Sequence, residues 1–204
     1  EIRLSLVGSE MCIRDRVHTA QVHMGNTVAV WGVGGVGAHL VQLSKLAGAV
    51  PVIAVDLNDA VLERAKRLGA DYAFRSDDPD LMKKIEDITD GRMVDIAFDA
   101  VGIQPTLRAC VESLDINGKA VSIGLSPQNI DAGTFLEFNL KKKQLLGHLG
   151  YKRQDIARLA DMLSYGRLDL TESISKIIPL TDIKQGIDDL ENHRGNPIRI
   201  LVKP

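Results

Sequence analysis

From Thr27 onward, short apolar runs alternate with stretches whose apolar residues recur at three- and four-residue spacing. The first kind of pattern predicts buried strands and the second amphipathic helices. Strands are expected at Thr27 to Trp31, Val52 to Asp56, Tyr72 to Phe74, Val94 to Asp99, Ala120 to Ile123 and Gln144 to Leu149. Between them, helices are expected near Val36 to Ala47, Ala60 to Leu68, Leu81 to Thr89 and Gln104 to Ser113, several bounded by turn signals such as Gly69, Asp90-Gly91 and Asn117-Gly118. This alternation predicts an α/β fold: a doubly wound parallel sheet of Rossmann type, strand order 3-2-1-4-5-6, with helices on both faces.

The alternation stops near Gly150. Beyond it the pattern predicts a helix from about Gln154 to Tyr165, a strand near Ile174 to Pro179, a helix from Asp182 to Asn192 and a last strand at Ile198 to Val202. These pieces do not make a seventh unit of the sheet. They predict a C-terminal α/β appendage that needs a partner surface, with Ile177, Ile178, Ile187 and Leu190 on its apolar side.

The opening sixteen residues, Glu1 to Arg16, show no regular polarity and no signal-peptide pattern, so no fold element is expected there. They resemble an in-frame translation of the primer and transposase end used in sequencing libraries, most clearly at Glu10-Met11-Cys12-Ile13-Arg14-Asp15. On this reading 1–16 is a non-native tail, which leaves 17–150 as the doubly wound domain and 151–204 as the C-terminal segment.

Composition narrows the function. The chain has 204 residues, 45% of them hydrophobic, and a formal net charge of -2. No apolar run is long enough to span a bilayer as a helix, and no basic stripe with interleaved aromatics marks a nucleic-acid surface. A small-molecule partner is therefore expected. Setting Cys12 aside leaves Cys110 alone, so neither a disulfide framework nor a cysteine zinc cluster is expected, and a cytoplasmic setting fits. Lys141-Lys142-Lys143 reads as a solvated face and His148 as a structural histidine. His18, His23, His39 and His193 have no companions at metal-ligand spacing.

One motif carries chemistry. Gly32-Val33-Gly34-Gly35-Val36-Gly37 follows the first apolar run directly and opens the first helix, and the second run ends in Asp56. Gly32 permits a sharp turn, Gly34 removes a side chain from the path of a pyrophosphate, and Gly37 lets helix and sheet approach closely. The helix start then offers free N–H groups and the positive end of its dipole. Asp56 lies about twenty residues beyond the last glycine, where a carboxylate can accept from both adenosine ribose hydroxyls and repel a 2′-phosphate. Leu57-Asn58-Asp59 supplies no arginine to reverse that preference. NAD is expected rather than NADP. The blander alternative is a tight strand-to-helix turn with Asp56 capping the next helix.

The chain from about Val17 to Pro204 resembles the cofactor-binding half and C-terminal return of medium-chain dehydrogenases, particularly the zinc-dependent alcohol dehydrogenases. The resemblance is carried by Val22-His23-Met24-Gly25-Asn26-Thr27-Val28 leading into the glycine motif, by Leu68-Gly69-Ala70-Asp71, by Phe98-Asp99-Ala100-Val101-Gly102, by Gly118 to Gly124, and by the ending Ile178-Pro179-Leu180 to Ile198-Arg199-Ile200. It implies a cofactor-binding set that joins Gly32, Gly34, Gly35, Gly37, Asp56 and Asn58 to residues outside the motif. Val36 would pack beside the nicotinamide, and Val101 and Gly102 would approach the riboses. Ile123, Gly124 and Leu125 would present backbone groups to the carboxamide, with Leu149 as a further contact of that kind. Ordinary core packing is the other reading of Ile123, Leu125 and Leu149. Arg199 would reach the pyrophosphate, or else be a solvent-exposed strand arginine.

The same resemblance implies a catalytic zinc held by cysteine, histidine and acidic residues of an N-terminal domain, and none of those motifs occurs in this sequence. The expectation is a chain that binds NAD without turning over alcohols, with no catalytic or metal residue of its own. Its intact parent would use zinc and pass hydride between an alcohol and NAD. A zinc-free quinone or enoyl reductase of the same superfamily and a non-catalytic NAD-sensing module remain alternatives. A homodimer or higher oligomer through the sixth strand is also implied.

Overall fold

Val28, Val30, Val52 and Ala54 bury against one side of a sheet, while Ala29, Trp31, Ile53 and Val55 bury against the other. Side chains alternate across a strand, so runs that are apolar at every position must be covered on both faces. In a computed structural model, which describes residues 10–150, 153–192 and 194–203, these runs form the centre of a six-stranded parallel sheet. The strands are β1 (Val28–Trp31), β2 (Val52–Asp56), β3 (Tyr72–Arg75), β4 (Val94–Asp99), β5 (Leu114–Ser122) and β6 (Gln144–Gly147), in the order β3-β2-β1-β4-β5-β6. Fold class and strand order are those expected from the alternation.

The helices are α1 (Glu10–Ala20), α2 (Gly35–Leu46), α3 (Asp59–Arg67), α4 (Leu81–Ile88), α5 (Gln104–Glu112), α6 (Phe135–Leu140), α7 (Arg153–Ser164) and α8 (Ile183–Glu191). One face of the sheet is covered by α1, α2, α3 and α7 through Val17, Leu40, Val41, Leu62 and Leu159. The other is covered by α4 and α5 through Leu81, Ile85, Cys110 and Val111. Beyond the main sheet, β7 (Lys176–Pro179) pairs in parallel with β8 (Ile200–Lys203), flanked by α8. Ile177, Ile187 and Leu190 of this C-terminal unit are exposed.

Four expectations need correction. Residues 10–16, expected to form no element, belong to α1, where Asp15, Arg16 and Val17 are buried. That helix has little amphipathic period, and its order comes from packing on α2 and α7. The rest of the supposed tail, 1–9, lies outside the described residues, as does His193. Second, the Asn117-Gly118 turn signal falls inside β5. Asn117 takes a positive φ of 62°, its N–H donates to the Lys141 carbonyl, and the ladder with β4 shifts register between Val94 and Ile96, so the pair makes a bulge and the strand continues.

Third, Lys143 is not part of a solvated face. Its side chain is 1% exposed and its Nζ donates to the Val111 carbonyl at 2.6 Å and to the Glu137 carboxylate at 2.8 Å. It pins α6 to the end of α5. Fourth, β6 stops at Gly147, and Leu149 lies past it, 77% exposed.

Candidate cofactor site

The carboxyl ends of β1, β2, β3 and β4 open onto a cleft of about 550 Å³. A doubly wound sheet parts its loops at this point, because the connections of β1 and β4 run to opposite faces. Gly32, Gly34, Gly35, Val36, Gly37, Asp56 and Val101 all line it, so seven residues named from the sequence meet in one place.

Each glycine has a different reason to be there. Gly32 has a positive φ of 82°, and a Cβ on it would collide with the Val101 side chain. A Cβ on Gly37 would overlap the Gly32 carbonyl, so helix and corner pack backbone to backbone. Gly34 differs: apart from its own chain neighbours, nothing lies within 4 Å of where its Cβ would stand. The space beside Gly34 faces the cleft. It precedes α2 with no side-chain cap bond, so the first N–H groups of that helix keep their capacity for an anion.

Asp56 ends β2 and ties the corner down. Its Oδ2 accepts from Val33 N–H at 2.8 Å and its Oδ1 from Asn58 N–H at 3.0 Å. Two backbone bonds leave the carboxylate with further lone pairs for ligand hydroxyls. Across the cleft, Asp99 organises the loop after β4 in the same manner: its Oδ1 accepts from Val101 N–H, Gly102 N–H and the Thr106 hydroxyl. Its other oxygen is buried with no hydrogen-bond partner among the described residues.

Gly102, Gly124 and Leu125 line a second, smaller pocket of about 200 Å³ on the far side of that loop. Gly102 and Gly124 touch through their backbones, each standing where a Cβ of the other would be. Ile123 is 6% exposed within the core, and its N–H donates to the Asp99 carbonyl. Leu149 lines neither cleft.

Asn58 is a helix cap and a tether. Its Oδ1 accepts from Ala60 and Val61 N–H at the start of α3, and its Nδ2 donates to Asn196 Oδ1 at 2.7 Å. Arg64 Nη1 donates to the Asn196 carbonyl, so the C-terminal segment is held down at one point by two helix positions. That segment then passes over the glycine corner, with Ile198 Cγ2 3.5 Å from where a Gly35 Cβ would be. Arg199 follows Ile198 directly, and burial lowers its pKa below the usual guanidinium value.

Residues that the sequence did not assign to the cofactor also line the main cleft, among them Trp31, Leu57, Ser76, Ile103 and Thr106. Trp31 ends β1 and Ser76 follows β3, so the rule that ligands sit past strand ends was the available signal. Leu57 and Ile103 are 60% and 41% exposed and present apolar walls on opposite sides. Apolar walls, a carboxylate with spare acceptor capacity and a helix start open to an anion thus face one cleft.

The sequence model of a family described as zinc-binding dehydrogenase matches residues 35–165, which run from the start of α2 past the end of α7. The chain belongs to this family. A probable S-(hydroxymethyl)glutathione dehydrogenase 1 of Schizosaccharomyces pombe is 34% identical over 197 residues, covering 91% of this chain and 50% of that protein. An alcohol dehydrogenase of Cupriavidus necator is 29% identical over 187 residues, covering 91% of this chain and 51% of its own length. The chain thus spans about half the length of these curated relatives. Among solved structures, the 2R,3R-butanediol dehydrogenase of Bacillus subtilis superposes with a TM-score of 0.88 at 25% identity, over 98% of this chain and 56% of that one.

The zinc in the family's name finds no donor set here: among the described residues no three His, Cys, Asp or Glu side chains gather as a metal-holding group. Nor is any helix among them long and apolar enough to cross a membrane.

Proposed function

We propose that this chain is the NAD-binding part of an oxidoreductase that, in the intact protein, transfers hydride between an alcohol and NAD. The carrying observation is the Asp56 carboxylate bonded to the glycine corner inside the cleft. A 2′-hydroxyl suits that acceptor and a 2′-phosphate does not. Gly32, Gly34, Gly35, Val36, Gly37, Asp56 and Val101 would hold the dinucleotide, with Arg199 on the pyrophosphate and Gly102, Gly124 and Leu125 toward its far end. When bound, NAD supplies the hydride acceptor carbon. The protein's own contribution is to seat the phosphates on the start of α2, to fix the ribose through Asp56, and to hold the loop after β4 in place through Asp99.

The alcohol and any catalytic zinc belong, on this reading, to residues outside this chain. The domain division at 17–150 and 151–204 and a cytoplasmic setting belong to the same proposal. So does pairing with a second copy, since β6 lies at an open sheet edge and α6 beside it exposes Phe135, Leu136 and Leu140. Calorimetric titration tests the core of it. NAD should bind in the micromolar range with NADP at least about tenfold weaker, and clear preference for NADP would refute the reading. The chain alone should give no nicotinamide reduction with alcohols.

A further inference from the structure

Asp56 and Arg75 are register partners on adjacent strands β2 and β3, so both side chains leave the same face of the sheet at the ribose end of the cleft. An arginine at that position would ordinarily favour a phosphorylated ribose. Here three of its five N–H donors are taken, one on each nitrogen. Nε and Nη2 make a two-pronged contact with Asp77 at 2.9 and 2.8 Å, and Nη1 donates to Asp59 Oδ1 at 3.0 Å. Asp59 opens α3 just past the Leu57-Asn58 turn, and Asp77 follows Ser76, which itself lines the cleft. The guanidinium is thereby held between two carboxylates whose chain neighbours reach the cleft.

We propose that Asp59 and Asp77 act as a specificity clamp: by sequestering Arg75 they withhold the guanidinium beside Asp56 from a 2′-phosphate, and so enforce, together with Asp56, selection of the unphosphorylated dinucleotide. The proposal rests on the cofactor reading given above. A 2′-phosphate brings roughly two negative charges at neutral pH, and here it meets three carboxylates and an arginine already neutralised. Asp59 and Asp77 are exposed, 76% and 53% at their side chains, so each contact is individually weak and screened by salt. The clamp therefore restrains Arg75 without being essential to the fold. Released, the planar guanidinium could present paired donors to a phosphate, as a lysine could not.

The test is calorimetric titration of the full 204-residue chain with NAD and with NADP at one fixed ionic strength. Four proteins are compared: the unsubstituted chain, Asp59→Asn alone, the double variant Asp59→Asn with Asp77→Asn, and that double variant carrying Arg75→Gln. The double variant should bind NADP about tenfold more tightly, the single variant less so, and NAD should stay within about twofold throughout. Adding Arg75→Gln should erase the gain. Unchanged NADP affinity in the double variant, with NAD still bound, overturns the clamp and leaves the cofactor reading standing. A gain that survives Arg75→Gln overturns it too, since the effect would then be bare charge removal. Failure of the unsubstituted chain to bind NAD overturns the cofactor reading and the clamp with it.

Discussion

The Asp56 carboxylate accepts a hydrogen bond from Val33 N–H at 2.8 Å, joining the end of β2 to the middle of the glycine corner. One side chain thus shapes the corner and, in the proposed function, also accepts from the ribose. Asp56→Asn keeps the volume but loses the charge and one acceptor. NAD affinity is expected to fall about 10- to 100-fold, as for a charge-assisted bond worth about 1.5–3 kcal/mol, and discrimination against NADP to shrink. Titration of the variant with both dinucleotides checks this, and an unchanged NAD affinity would remove Asp56 from the site.

Gly34 and Gly37 should separate binding from folding. Gly34→Ala places a methyl group in open space, so its melting temperature should stay within about 2 °C of the parent while NAD affinity drops at least about 100-fold. Gly37→Ala drives a methyl group into the Gly32 carbonyl, which should cost about 3 kcal/mol and lower the melting temperature by roughly 10 °C. Thermal melts beside NAD titrations distinguish the two. Equal destabilisation by both would contradict the geometry.

His39 gives the fold an acid-sensitive window. Burial first, and the Arg64 guanidinium second, lower its pKa from 6.5 to about 4, and its Nε2 lies 3.1 Å from the Ser173 hydroxyl. Below pH 6.5 the unfolded chain takes up a proton that the folded chain refuses until about pH 4. Stability is therefore full above pH 6.5 and declines as pH falls toward 4, by at most about 3 kcal/mol. Urea unfolding at pH 7 and pH 5 should show the decline, and His39→Gln should flatten it. A parent chain equally stable at both values would exclude the mechanism.

Asn58 joins the start of α3 to the C-terminal segment. Asn58→Ala should cost about 1–2 kcal/mol, or roughly 5 °C in melting temperature, from the lost cap and tether together. Protease cutting near Asn196 should quicken in the variant. If stability is lost without faster cutting there, the cap matters and the tether does not.

Much of this molecule could be read from the chain because its determinants are local. The glycine corner needs particular residues at fixed spacing, and Asp56 follows from where the second strand must end. The buried runs at Val28 and Val52 require cover on both faces, which leaves few architectures. Other features depend on what tertiary structure brings together. No pattern marks Lys143 as buried, since three consecutive lysines look alike until α5 and α6 close over one of them. Helix α1 has too little amphipathic period to stand out and is ordered by its neighbours. Asn58 lies beside the site in sequence, yet its side chain is occupied by a helix end and by Asn196, 138 residues away.

The meeting of Gly102 with Gly124 means that the loops after β4 and β5 share a single surface where two side chains would ordinarily intervene. The spacing of the two loops at the smaller pocket is therefore set by main-chain thickness, and a larger residue at either position has no room. Enlarging either residue would force the loops after β4 and β5 apart.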